Sequence, residues 1–290
     1  MENEYTNPRM KIKKVGIVGC GQMGSAYTQL CAQKGFQVVV SEVNDELLNK
    51  GLALINSKLT EGVSCGEFSG QDKDAILAQI KGTTNLQDFS DCDLVIEAAT
   101  ERIEVKKKIF AELDKGCPKG IVLATNTSVL SVLDIAMVTN RPDKVLGIHM
   151  NPLVFPVAEI IKTLVTSDTT VEVAKNFSKS LEKHVVIAKD TPGFIANRLI
   201  TPLLINAIRM LEAGIASRDD IDTIFTAGMG WPLGPLAMLD AVGLDTVLLG
   251  INAMYEELKD PQLAPPVLLK KMVTAGLLGC KTAKGFYEYD

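Results

Sequence analysis

The chain has 290 residues, 47% of them hydrophobic and 22% charged, with a formal net charge of −5. That length allows two domains, and the composition is that of a packed globular protein rather than a disordered one. The acidic balance, without a basic block, excludes nucleic acid as a main partner, and no charge-free apolar run reaches the roughly 18 residues that a membrane span needs.

The opening residues 1–10 are polar, with two glutamates, and resemble neither a secretory signal nor a transit peptide. The expected compartment is the cytoplasm, with no membrane partner. The first buried strand is predicted over 15–18. It runs into Gly19-Cys20-Gly21-Gln22-Met23-Gly24, and a stretch of helical spacing follows. A strand that feeds a glycine turn and a helix N-terminus leaves backbone N–H groups free at the positive end of the helix dipole, which suits a diphosphate. Gly19 permits the turn, Gly21 lets the backbone approach the pyrophosphate, and Gly24 lets helix and strand pack closely. A second strand over 38–41 ends at Glu42, whose carboxylate suits the hydroxyls of an adenosine ribose. That carboxylate would repel a 2′-phosphate, and no lysine or arginine follows before Lys50, so NAD is favoured over NADP. A glycine turn that merely packs is the bland alternative, and strand, helix and acid together outweigh it.

Leu48, Leu52, Ile55 and Leu59 recur at spacings of three and four and mark one face of a long helix. Further strands are predicted over 94–97, 121–124, 145–149 and 185–187, with one more over 157–161. This alternation of strands and helices predicts an α/β fold: a doubly wound, mostly parallel Rossmann-type sheet with helices on both faces. Ligands of such sheets bind outside the carboxyl ends of the strands. There lies Ala124-Thr125-Asn126-Thr127-Ser128, whose amide and hydroxyl groups suit a nicotinamide ribose and a substrate oxygen. Read alone, helix capping is the stronger account of that cluster.

His149 ends another strand at the same edge. A neutral imidazole suits removal of an alcohol proton near neutral pH, and Glu159, in an otherwise apolar stretch, is a candidate to hold its tautomer. The alternatives are a structural histidine and an exposed glutamate on an edge strand. His184, the other of the two histidines, has no comparable setting and reads as structural. The six cysteines are scattered with no Cys-x-x-Cys pair, so small buried hydrophobes are expected rather than disulfides or a metal site.

The pattern changes at Asp190-Thr191-Pro192-Gly193, which predicts domains over 1–190 and 191–290. The second reads as all-helical. Leu199, Leu203, Ala207, Met210 and Leu211 suggest one buried stripe, and Ser217-Arg218-Asp219-Asp220 a capped helix start. A rigid turn is expected over 230–235 and helices over 245–258 and 266–275. These stripes exceed what a small bundle needs for its own core, so a homodimer through this domain is expected.

Together these residues resemble the NAD-dependent 3-hydroxyacyl-CoA dehydrogenase family, including 3-hydroxybutyryl-CoA dehydrogenases. The likeness runs from Lys14 to Lys284-Gly285-Phe286-Tyr287. It rests on the glycine turn with Met23, Asp93-Leu94-Val95-Ile96-Glu97-Ala98-Ala99, Asn126-Thr127-Ser128, Arg141-Pro142-Asp143-Lys144-Val145, Pro192-Gly193-Phe194-Ile195-Ala196-Asn197-Arg198 and Gly234-Pro235. The resemblance implies a Rossmann domain plus a helical dimerisation domain, with the active site in the cleft between them. It implies His149 as general base, Glu159 as its partner, and Ser128 and Asn197 as hydrogen-bonding groups for the substrate's oxygens. It also implies Gly19, Gly21, Gln22, Met23, Gly24 and Glu42 at the cofactor, with Glu101, Lys106 and Asn126 lining its nicotinamide end. Glu101 and Lys106 have a bland reading as solvated charges at a helix start.

Two departures from the family pattern stand out. The segment from Met150 to Ala158 is two residues shorter than usual and lacks a lysine. The arm after the second strand, often lysine-rich in the family, keeps only Lys58 near Glu61 and Glu67. Lys58 is the one substrate-binding candidate on that arm. A surface for the phosphates of coenzyme A should be more basic, so a 3-hydroxyacyl group tethered to an acyl carrier protein is an alternative to the CoA thioester. Two rivals remain: a β-hydroxyacid dehydrogenase with a lysine base, and a non-catalytic nucleotide-binding or structural relative.

Overall fold

The computed structural model describes residues 12–153 and 155–289; the segment 1–10 read above for a targeting address lies outside the described residues. The chain divides into two compact units, Met1–Asp190 and Thr191–Asp290.

The first unit is built on β1 (Lys14–Val18), α1 (Gln22–Gln33), β2 (Gln37–Ser41), α2 (Asp45–Ser64), α3 (Gly70–Ala78), β3 (Ile80–Thr83), β4 (Leu94–Glu97), α4 (Ile103–Gly116), β5 (Val122–Thr125), α5 (Val132–Ala136), β6 (Val145–His149), β7 (Val157–Lys162), α6 (Asp168–Ser180) and β8 (His184–Lys189). All eight strands share one sheet, ordered β3-β2-β1-β4-β5-β6-β7-β8. The first six are parallel. β7 runs antiparallel to β6, and β8 parallel to β7. Strands buried on both faces must be apolar on both, which is why β1, β2, β4 and β5 read as continuous Val/Ile/Leu runs. On one face the side chains of Ile17, Val40, Ile96 and Ile148 pack with Tyr27, Ile55, Leu59 and Phe177. On the other, Val39, Val95, Leu123 and Val145 pack with Phe89, Phe110 and Leu113.

β3 escapes sequence reading. Its Ile-Lys-Gly-Thr lacks an apolar run because it is an outer strand, buried only in part, and its pairing with β2 rather than its side chains defines it. α2 starts on Asn44, whose side chain accepts from Leu47 N–H, and it buries Leu48, Ile55 and Leu59, the face set by their spacing. α3 begins with a reciprocal capping box between Ser69 and Asp72.

A buried ion pair ties the end of α4 to the turn before β6. Arg141 Nε donates to Asp114 Oδ1 at 2.7 Å, and its remaining N–H groups reach the carbonyls of Asp114, Cys117 and Pro118. Burial works to raise the Asp114 pKa. The bonds from Asn140 and Arg141 outweigh it, so the carboxyl titrates below its ordinary value.

The second unit packs α7 (Ala196–Glu212), α8 (Arg218–Thr223), α9 (Pro235–Val242), α10 (Leu244–Leu258) and α11 (Val267–Thr274) around Ile205, Ile208, Leu236, Leu239, Leu244, Ile251 and Leu269. The expected stripe on α7 is the buried face only in part: Ala207 is buried and Leu211 packs against the core. Leu199 is 73% exposed and Met210 is exposed, while Thr201, Ile205, Ala207 and Ile208 face inward. α7 is apolar on two sides, and spacing cannot say which one the neighbours cover. Ser217 caps α8 as expected, accepting from Asp220 N–H. α9 is a further element that sequence reading omits, hidden behind the glycines and prolines of 230–235. Asp222 accepts from the N–H groups of Leu236 and Ala237 at its start. Asp240, fully buried, anchors the chain end through Phe286 N–H, Tyr287 N–H and the Tyr289 hydroxyl. No single described helix is long and apolar enough to cross a membrane.

Two expectations follow from this packing. Asp114→Ala strands the Arg141 guanidinium inside the fold and should cost about 3–5 kcal/mol, read as a lower urea midpoint at neutral pH. Because the folded-state pKa of Asp114 is depressed, the wild-type advantage is full above the unfolded carboxyl pKa and fades as pH falls through the folded value. The six cysteines are unpaired, and only Cys65 and Cys280 are exposed. Burial pushes the Cys31 and Cys92 thiols up to about 12 and Cys117 to about 11. Brief alkylation of native protein at neutral pH should therefore label Cys65 and Cys280, and denatured protein all six, by mass spectrometry.

Candidate active site

β1 delivers the chain to a left-handed Gly19, φ +95°, where a Cβ would sit 2.8 Å from the Ala98 carbonyl oxygen. A Cβ on Gly24 would lie 1.9 Å from Gly19 O, so the first turn of α1 can lie this close only without a side chain there. α2 leans onto the same loop at Gly51, where a Cβ would fall 2.2 Å from Cys20 O. Gly51 is a cradle residue that sequence reading did not pick out, since a lone glycine inside a helix carries no turn signal. By contrast, a side chain on Gly21 would meet no protein atom within 4 Å and would fill the space over the helix start. Gly21 is the N-cap of α1, with no side-chain cap and no acid in the first turn, where Gln22 and Met23 lie. Uncapped amides at a dipole's positive end, left open by glycine, fit a dinucleotide diphosphate.

Glu42, at the end of β2, accepts from Cys20 N–H at 2.8 Å through Oε1 and from Val43 N–H at 3.1 Å through Oε2. These bonds fix the carboxylate beside the glycine turn and leave lone pairs for ribose hydroxyls. Asp45 and Glu46 follow in the first turn of α2, so the local charge opposes a 2′-phosphate.

The carboxyl ends of β4 and β5 carry a network of buried charge. Glu97, wholly buried, accepts from Lys106 Nζ and Ala99 N–H through Oε1 and from the Thr125 hydroxyl through Oε2, each at 2.7 Å. Lys106 also lies 3.4 Å from Glu101 Oε2. Glu101 Oε1 in turn accepts from the Thr127 hydroxyl at 2.5 Å and from Ser128 N–H at 2.8 Å. The bland reading of Lys106 as a solvated charge is overturned: its side chain is 1% exposed. Burying an ammonium requires a carboxylate, and Glu97 supplies it. Glu97 stood in the family-like segment without a role assigned. Its only sequence signal is an acid closing the apolar run Leu94-Val95-Ile96. The capping account of 124–128 also gives way, since the cap of α5 is Ser131, with Asp190 accepting from the N–H groups of Val132 and Leu133.

His149 ends β6 and lies directly opposite Glu159 of β7 in the antiparallel register. Its Nδ1 is 2.6 Å from Glu159 Oε2. The shortened segment 150–158 therefore does not prevent the pairing. Glu159 is buried, because β8 covers the outer side of β7, so it is not an exposed edge residue.

The remaining predicted residues fall elsewhere. The Asn126 amide turns inward onto Tyr27 and the β6 backbone. Lys58 is exposed on α2, paired with Glu61 at 2.8 Å. Asn197 lies in the first turn of α7, within the second unit. His184 is exposed at the start of β8.

Residues 14–191 match the family model described as 3-hydroxyacyl-CoA dehydrogenase, NAD binding domain, and residues 193–289 the model of that family's C-terminal domain. The chain belongs to the 3-hydroxyacyl-CoA dehydrogenase family. It is 43% identical to a 3-hydroxybutyryl-CoA dehydrogenase of Mycobacterium tuberculosis, over 96% of this chain and 99% of the relative. It is 40% identical to one from Bradyrhizobium diazoefficiens, over 96% of each. Among solved structures it resembles M. tuberculosis FadB2, with a TM-score of 0.94, 43% identity, and 96% and 99% of the two chains covered. It also resembles (S)-3-hydroxybutyryl-CoA dehydrogenase PaaH1 from Ralstonia eutropha, with a TM-score of 0.91, 40% identity, and 97% and 100% covered. Membership makes the chain an NAD-dependent oxidoreductase.

Removing one member of the buried charge set should expose its cost. Lys106→Met leaves Glu97 without its cation and should lower stability by about 3–5 kcal/mol, measured by urea denaturation. Pairing it with Glu97→Met should recover much of the loss.

Proposed function

We propose that the protein interconverts a 3-hydroxyacyl-CoA and the corresponding 3-oxoacyl-CoA, with 3-hydroxybutyryl-CoA as the reference substrate. The observation that carries this reading is the 2.6 Å contact between His149 and Glu159 at the strand edge that also bears the glycine turn. NAD, when bound, supplies the hydride acceptor. His149 Nε2 takes the hydroxyl proton as the carbinol hydrogen departs, and Glu159 accepts from Nδ1–H and stabilises the imidazolium. In reduction, the same proton returns from Nε2 to the carbonyl oxygen. Ser128 and Asn197 are assigned to the substrate's oxygens on the family pattern, and Glu101 and Lys106 to the nicotinamide end. Lys58 is assigned to the thioester's phosphates, by charge alone.

The relatives support a CoA thioester: three of the four described above are named for hydroxybutyryl-CoA. The carrier-tethered alternative finds no support among them, and neither does the non-catalytic one. A homodimer through the second unit is part of this reading. It is supported by apolar side chains left exposed there, among them Leu199, Ile215, Ile224 and Leu249.

The test is NADH consumption with acetoacetyl-CoA. Steady turnover is expected, with NADPH at least tenfold poorer in kcat/KM because of Glu42, Asp45 and Glu46. No turnover, or activity only on a carrier-bound substrate, would overturn the reading. His149→Gln should lower kcat by about 10²–10⁴ while leaving the NADH KM within about threefold. Full activity in that variant would place the base elsewhere.

A further inference from the structure

We propose that Tyr27 and Asn126 form a buried clamp that positions His149 by gripping the backbone on both sides of it. Tyr27 lies on α1, about 9 Å along the axis from the N-cap Gly21, and no part of it is exposed. A buried hydroxyl is costly unless it is hydrogen-bonded, and phenylalanine would fill the same space without that demand. The Tyr27 hydroxyl donates to Ile148 O at 2.9 Å. The Asn126 amide, turned so that donors meet acceptors, sets Nδ2 2.7 Å from Tyr27 Oη, 2.8 Å from Ile148 O and 3.3 Å from Met150 O, with its two hydrogens shared among these three acceptors. Ile148 and Met150 are the two chain neighbours of His149.

The clamp sits where the sheet stops providing support. Registered pairing of β6 with β5 ends at Thr125↔Gly147, whereas pairing with β7 continues to His149↔Glu159. Past Gly147 the β5 side of the strand is held by side chains, and Asn126, the first residue beyond β5, turns back to do it. Burial pushes the Tyr27 phenol far above its ordinary value, so it remains a donor across the working pH range. Glu159 fixes the imidazole from one side, and the clamp fixes the main chain that carries it from the other. Because Tyr27 belongs to the helix that starts at the dinucleotide turn, the clamp also ties that helix to the base. Tyr27 and Asn126 are thus positioning residues for the general base, an inference that rests on the function proposed above.

The test is Tyr27→Phe in the full-length protein, which removes one oxygen and keeps the ring. With only two histidines in the chain, ¹⁵N-histidine labelling in a His184→Gln background isolates the His149 imidazole. The expected wild-type spectrum is a single Nδ1-protonated tautomer. Tyr27→Phe should broaden or shift it, and kcat should fall about tenfold with NADH and thioester KM within about twofold. Asn126→Ala, read in the same way, serves as the second variant should Tyr27→Phe fail to fold. A folded variant whose His149 spectrum overlays the wild type and whose kcat stays within about twofold overturns the proposal. So does a loss of thermal stability with that spectrum unchanged, which would reduce the pair to packing. Absence of wild-type turnover on acetoacetyl-CoA would instead remove the substrate reading, while the spectrum would still report on the clamp.

Discussion

The geometry of the site depends on one reversal of chain direction. β6 runs with the parallel sheet, the chain turns, and β7 returns antiparallel in a register that sets His149 against Glu159. A slip of one residue would send Glu159 to the opposite face of the sheet, because successive side chains alternate. The register is held on one side by the β7–β8 ladder. On the other it is held by the apolar residues Ile148, Ala158 and Ile160, which must all enter the core together. An acid–base pair at 2.6 Å thus follows from hydrophobic alternation, and the two polar groups sit where the pattern leaves a position for them.

The same strand edge gathers charge that does not face water. Glu97, Lys106 and Glu101 form a chain in which one cation lies between two carboxylates, and its far end holds the backbone of Ser128. Such a set is expensive to bury and contributes little net stability by itself. What it supplies is fixed direction: each oxygen has a named donor, so the loops after β4 and β5 cannot rotate independently. The glycine turn achieves a comparable fixing by close approach. Gly19, Gly24 and Gly51 let three backbone segments meet at distances no side chain would permit.

Central elements were readable because their composition carries the whole instruction. β1, β2, β4 and β6 are apolar runs bounded by turn signals, and α2 shows its buried face through Leu48, Ile55 and Leu59. β3 was not readable, since an outer strand needs few apolar residues and exists through its partner. On α7 the apolar residues are more numerous than one face requires, and the stripe taken as core includes the exposed Leu199. α9 was masked by the prolines and glycines that precede it, although Pro235 occupies a first-turn position where proline is tolerated.

The sequence by itself determined the doubly wound sheet and the glycine turn followed by Glu42, and it marked His149 and Glu159 as candidates to pair. These rest on periodicity, on glycine's conformational range and on the scarcity of histidine, all local properties of the chain. Only the tertiary structure decided that Lys106 is buried against Glu97, that the Asn126 amide turns inward to Tyr27, and which side of α7 is core. Those outcomes depend on which groups from distant segments arrive at hydrogen-bonding or van der Waals distance. A buried charge or amide takes whatever partner the packed fold brings to it.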